Sequence, residues 1–275
     1  MSNNVEEYQV GRCTVKIVLD EDPQNPRLEF DHVGTMACAH DRYNLGDKPY
    51  QKRGFGEEYL EGLATPEYWR ECERLDARLD AVTSYFDYSS RRSGAENAVE
   101  TRKQKLLAEN LDAYYVRLPL GLYDHSGISI FVGGRGDVPG DSAGWDTSSV
   151  GFIHCSLEKA LHEWGTKGQE HLGWEGEASY TLKPDGTKHT LREATEKYLE
   201  GEVEEYDQYL TGQVYGYVVE AEDGKEDSCW GFFGEISYVK EEAESMAKHH
   251  NERMAEADAL AELTEKETAH AEVWP

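Results

Sequence analysis

The residues best suited to chemistry stand together in Tyr123-Asp124-His125-Ser126-Gly127. A carboxylate beside an imidazole can fix the ring's tautomer and strengthen it as a general base. Asp137, Asp141 and Asp146 follow in the Gly/Asp/Ser-rich stretch GGRGDVPGDSAGWDTSS (133–149). Three carboxylates on one loop could serve a divalent cation. Together these residues would support a metal-dependent hydrolase or a nucleotide-modifying enzyme. The opposing reading is structural. DVPGDSAGWD lacks the Asp/Asn alternation and closing Glu of a calcium loop, and Asp and Ser commonly bond nearby amides in Asx turns.

Other constellations carry less. Asp31-His32 and His40-Asp41 place their histidines eight apart, which matches neither the helical pair of a zinc protease nor a zinc-finger spacing. The five cysteines, Cys13, Cys38, Cys72, Cys155 and Cys229, are odd in number and contain no CxxC pair. They read as reduced, mostly buried residues. His154 and Cys155 are adjacent in a strand-like run, so they face opposite ways and make a poor base–nucleophile pair. GGRG is not a phosphate loop, and no GxSxG elbow is present. Trp145, Trp164, Trp174 and Trp230 have no basic residues interleaved and read as packing groups, not as base-stacking platforms. No catalytic residue is assigned, with Asp124 and His125 as the alternative, and no cofactor is expected.

Patterning supplies the elements that must hold these residues. Runs at 14–19, 113–118, 128–132, 150–155, 213–220 and 228–234 read as strands. EDGKED joins the last two as a hairpin. Thr65-Pro66 opens a helix with Trp69, Cys72, Leu75, Leu79, Val82 and Phe86 on its apolar face. SSRRSG (89–94) reads as a break before a more polar helix at 95–111. Ser156 caps a short helix, and 165–190 reads as irregular. Thr190 and Glu193 form a capping box for a helix at 191–210, striped by Leu191, Ala194, Tyr198, Leu199, Val203, Tyr206 and Leu210. A long Ala/Glu-rich helix at 239–268 has a weak apolar line through Met246, Ala247, His250, Met254, Ala257, Ala261 and Leu263. The expected fold is α+β, with a mixed or mainly antiparallel sheet flanked by amphipathic helices. The expected organisation is a core over 1–235 with a helical insertion at about 65–112, then an acidic helical segment at 236–275.

Charge separates the function classes. The formal net charge is −27, and residues 191–275 hold 23 acids against seven bases. Such a chain is repelled by phosphate backbones and by anionic membranes. It has no run of the roughly 18 apolar residues that a membrane helix needs. MSNNVEEYQV has neither the basic start nor the apolar core of a secretory signal. Three readings of the acidity stand side by side: a solvated surface, adaptation to salt, and a face that docks on a basic protein surface.

Three segments carry a resemblance: DEDPQNPRLEFDHVGTMACAHDRYNLGD (20–47), LPLGLYDHSGISIF…GWDTSSVGFIHCS (118–156) and LEGEVEEYDQYLTGQVYGYVVE…DSCWGFFG (199–234). They resemble a widespread family of accessory proteins of tailed bacteriophages and prophages. The resemblance brings no activity and no catalytic residue with it. It implies a protein acting in the host cytoplasm on host machinery or an anti-phage defence system, by stoichiometric binding. On this reading the chain is a non-enzymatic inhibitor, including by DNA mimicry, and Glu200, Glu204, Glu205, Glu241, Glu242 and Glu244 meet a basic partner surface. A small-ligand binder that sequesters a defence signal is a further alternative, with a pocket around Arg42, Arg117 or Arg135. Self-association of the long helix is left open.

Overall fold

The computed structural model describes residues 4–49, 55–84, 89–138, 141 and 143–272. The chain begins with β1 (Asn4–Val10), β2 (Cys13–Leu19), α1 (Pro26–Glu29), β3 (Thr35–Cys38) and β4 (Lys48–Pro49). Three helices follow, α2 (Phe55–Leu63), α3 (Pro66–Thr83) and α4 (Ser89–Tyr114), then β5 (Tyr115–Asp124), β6 (Ile128–Val132) and β7 (Thr147–Ser156). The remainder is α5 (Leu157–Trp164), a 3₁₀ segment Glu170–Glu175, β8 (Glu177–Leu182), β9 (Lys188–Thr190), α6 (Leu191–Leu210), β10 (Val214–Ala221), β11 (Glu226–Phe233) and α7 (Ile236–Glu272). The fold is α+β, and its sheets are antiparallel except where β3 runs beside β4. Among the described residues no helix is long and apolar enough to cross a membrane.

The chain divides into two compact units, Met1–Glu29 with Glu205–Pro275, and Phe30–Glu204. The sequence-based boundary at 235 therefore differs from the contact boundaries. The terminal unit is a sheet in the order β1-β2-β10-β11. Alternation along β2 and β10 turns Cys13, Val15, Ile17, Tyr217, Val219 and Ala221 to one face. The first half of α7 covers that face with Val239, Ala243, Ala247 and Met254, all buried. Ala243 and Ala247 are small enough for close approach: the Cys13 thiol donates to the Ala247 carbonyl at 3.6 Å. Asn251 ties down the β1–β2 turn, accepting from the Arg12 amide at 2.7 Å and donating to the Val10 carbonyl at 2.8 Å. The apolar line expected along α7 is thus core as far as Met254, while Leu260 and Leu263 beyond it are exposed.

The central unit carries a sheet in the order β4-β3-β7-β5-β6 and the hairpin β8–β9. Two helix starts follow the local rules. Thr190 and Glu193 exchange side chain-to-amide bonds at 2.9 and 3.2 Å. Ser156 accepts from the Lys159 amide at 3.2 Å. Thr65 makes no cap bond with its side chain; its hydroxyl accepts from Asn110 at 2.8 Å instead. On α3, Tyr68 and Cys72 are the buried positions and Trp69 is exposed, one place off the expected face. Phe86 lies outside the described residues. The expected break at 89–94 falls inside α4, where an Arg92–Glu96 pair at 3.0 Å supports the first turns around Gly94. Residues expected to be irregular at 165–190 form the 3₁₀ segment and the β8–β9 pair.

Candidate functional site

Asp124 and His125 lie at the end of β5 and in the turn to β6. β5 continues through Pro119 to Asp124, so YDHSG is a hairpin turn and not an open loop between strands. Pro119 is tolerated because it sits where β6 ends, accepting from the Gly133 amide at 2.9 Å. Ser126 adopts φ +63°, and the His125 amide donates to the Gly127 carbonyl at 3.1 Å, closing the turn. Asp124 pairs with the Arg42 guanidinium and accepts from the Tyr43 hydroxyl at 3.4 Å. The His125 ring meets Asp146, with Nδ1 3.1 Å from Oδ2. Asp124 therefore does not orient His125. The pair that does form is open to solvent, the His125 side chain being 62% exposed, and exposed pairs of this kind contribute little.

The loop aspartates are held by their own backbone. Asp137 accepts from the Gly134 amide at 2.6 Å. Asp141 accepts from the amides of Trp145 and Asp146 at 2.8 and 3.1 Å. Burial opposes the charge on Asp141, yet these amide bonds and Thr147 keep its carboxyl below the usual range. Asp137, Asp141 and Asp146 thus serve three separate contacts. Among the described residues no group of three His, Cys, Asp or Glu side chains could hold a metal ion. The histidines of the earlier motifs also have local work: His40 stacks on Tyr43, and His32 lies 3.9 Å from Glu202. Glu202 itself accepts from the amides of Val33 and Gly34 at 2.8 and 3.0 Å.

A buried histidine that patterning did not single out as functional lies on β7. His154 is 6% exposed, and its Nε2 is 3.0 Å from the Tyr59 hydroxyl. The rings of Tyr59, Tyr115 and Phe152 surround it at 5.7 to 5.9 Å. Burial pushes its pKa down to about 4, aided by Arg117 and Lys159 and opposed by Asp47. The next residue, Cys155, is buried and its thiol is pushed up to about 11. That excludes a resting thiolate there near neutral pH. Strand alternation hid His154, because a histidine on an inward position has the same spacing as an apolar residue. Close by, a cavity of about 350 Å³ has a wall of Leu60, Leu107 and Leu111 and a polar rim of Glu57, Gln104 and Arg117. All three candidate arginines have partners: Arg42 pairs with Asp124, Arg135 Nε donates to the Gly144 carbonyl at 2.9 Å, and a terminal nitrogen of Arg117 donates to Asp112 at 2.7 Å.

The acidic residues divide between the units. On α6, Glu200 and Glu204 are exposed and Glu205 is half-buried. On α7, Glu241 and Glu242 are exposed, while Glu244 is half-buried and, after burial itself, raises the pKa of Tyr8. The outward side of α7 continues through Glu252 and Glu256, with Lys248 between. The terminal unit holds 24 acidic residues against eight basic ones. Five of those bases lie against its own carboxylates: Arg12 on Glu222 and Asp258, Lys16 on Glu220, Lys240 on Glu6, Arg253 on Asp223 and Lys266 on Glu262. What faces solvent is a surplus of carboxylate, on the outer side of α7 and at Glu226 of β11; the neighbouring Asp227 meets the buried His250, Oδ2 to Nε2 at 2.7 Å. The chain matches no protein family, no curated protein and no solved structure.

Proposed function

We propose that the chain is a non-enzymatic phage accessory protein that binds and inhibits a host or defence-system protein in the host cytoplasm. The terminal unit presents carboxylates to a basic surface of that partner, as a duplex presents phosphates. One observation carries this reading: five of the unit's eight cations are taken up by internal pairs, and carboxylates outnumber the remaining cations on exposed positions of α7 and β11. Such a surface steers association with cationic partners and weakens with salt. The test is capture from bacterial lysate, with duplex DNA as competitor. A basic protein is expected to be retained at low salt and displaced by DNA. Glu241→Gln/Glu242→Gln/Glu252→Gln/Glu256→Gln is expected to weaken it roughly 30-fold, at about 0.5 kcal/mol per exposed pair. Capture indifferent to salt, DNA and the four substitutions would reject the proposal.

A second reading, sequestration of a small anionic signal, draws on the Arg117 cavity. Arg117 Nε is buried without a hydrogen-bond partner, and such a donor costs free energy until it meets an acceptor. A thermal-shift screen of small organic anions checks this reading. A ligand at about 100 times its Kd is expected to add about 2.7 kcal/mol of stability to the wild type and little to Arg117→Met. Equal shifts in the two proteins, or none in either, would set it aside.

A further inference from the structure

The strand β11 ends its sheet: among the described residues β10 is its one paired neighbour. Residues Glu226 to Gly231 are all exposed. The Ala221 amide donates to the Lys225 carbonyl at 2.8 Å. In an antiparallel ladder the backbone groups of successive residues point alternately toward and away from the partner strand. With the register Val219↔Asp227 and Tyr217↔Cys229, Asp227 and Cys229 turn their amides to β10. Glu226 and Ser228 turn theirs to the free edge. Edges of this kind are usually blunted by charged side chains, Pro, bulges or a covering segment. This edge carries Glu226-Asp227 ahead of Ser-Cys-Trp, with a bulge opposite Gly216; acidic charge turns away an acidic strand and leaves a basic one admissible.

Side-chain placement narrows the occupant. Glu226 and Ser228 share the sheet face opposite α7, in register with Glu220 and Val218. Trp230 lies over Gly216, where an added Cβ would sit 2.3 Å from the indole, and it remains 49% exposed. Asp227 turns to the α7 face, its Oδ2 2.7 Å from His250 Nε2. Glu226, on the opposite face, disfavours pairing with a second copy, since both strands would bring like charges. It favours a strand bearing Lys or Arg, and the exposed indole face of Trp230 adds a cation–π contact.

We propose that the free edge of β11 takes up an extended basic segment of the partner as a fifth strand, its cations lying along Glu226 and Trp230. This rests on the docking reading above and names its mode, strand addition. The test uses the full chain and two synthetic ten-residue peptides of alternating Lys and Val. One is unmodified; the other is N-methylated at alternate residues on the side that would face β11. Anisotropy is expected to show binding of the first peptide, with a change in Trp230 emission, and at least tenfold weaker binding of the second. Ser228→Pro is expected to produce a similar loss, because the Ser228 amide makes no ladder bond to β10. Its melting temperature is compared with wild type, and if the variant fails to fold, the methylated peptide decides.

Equal binding of the two peptides overturns strand addition. If that binding also falls in the four-glutamate variant of α7, docking by charge stands without the edge. A concentration-dependent dimer that excludes the peptide likewise overturns the proposal. If neither peptide binds and the lysate yields no basic protein, the docking reading fails as well.

Discussion

Gly151→Ala is expected to destabilise the protein by on the order of 4 kcal/mol, a large part of the roughly 5–15 kcal/mol that holds a typical protein folded. Gly151 adopts φ +150°, a region that residues with a Cβ rarely enter. It lies in β7 opposite Cys38 of β3, and an added Cβ would sit 2.0 Å from the Ala37 carbonyl oxygen. That atom is backbone, locked in the β3–β7 ladder, so it cannot step aside as a side chain would. Backbone strain and overpacking each cost about 1–3 kcal/mol. Urea unfolding checks the figure, with Gly201→Ala as control. Gly201 is exposed on α6, with nothing within 4 Å of the added carbon, and alanine there is expected to add about 0.5–1 kcal/mol. A Gly151→Ala variant within 1 kcal/mol of wild type would show that β3 and β7 do not approach this closely.

Acid should weaken the fold through His154. Its pKa is held down to about 4 against an ordinary 6.5. Above pH 6.5 the ring is neutral in both folded and unfolded chains, and its contribution to stability is fully present. As pH falls from 6.5 toward 4, the unfolded chain takes up the proton and the folded chain refuses it. Unfolding is then favoured, by about 3 kcal/mol once pH passes below 4. Carboxylates titrate over part of that window, so the measurement is a difference. His154→Gln keeps an acceptor for the Tyr59 hydroxyl and removes the titration. Unfolding free energies between pH 7 and pH 4 are expected to fall less steeply in the variant, by about 3 kcal/mol over the interval. Parallel curves would mean that His154 is solvated, and that the cage of Tyr59, Tyr115 and Phe152 does not close around it.

What could be read from the sequence was local. The α6 cap depends on Thr190 and Glu193, three residues apart, and it forms as the residue types require. The β10–β11 hairpin follows from its turn. Where a neighbour outside the window decides, patterning fell short. Thr65 has the right type for a cap, but Asn110, 45 positions later, takes its hydroxyl. The helical face of α3 centres on Tyr68 because α2 and α4 pack there with Leu60, Leu107 and Leu111. Asp124 and His125 looked like a dyad because they are adjacent; β5 and its turn send one to Arg42 and the other to Asp146. The acidic surplus was visible by counting. Which carboxylates are left over was not, since that depends on ion pairs such as Arg12–Asp258, whose members lie 246 residues apart.

The terminal unit also sets a schedule for synthesis. β2 finds its second neighbour in β10, and Tyr217, the partner of Ile17, emerges 200 residues after it. At about 5–20 residues per second, translation delays that pairing by roughly 10–40 s. Through this interval the β1–β2 hairpin must keep Cys13, Val15 and Ile17 without the helix that later roofs them. The stretch Phe30–Glu204 meanwhile has all of its own strands in hand. A nascent chain that has emerged from the ribosome as far as about residue 210 should therefore hold one finished unit and one sticky ribbon, which makes the β1–β2 hairpin the natural client of a chaperone.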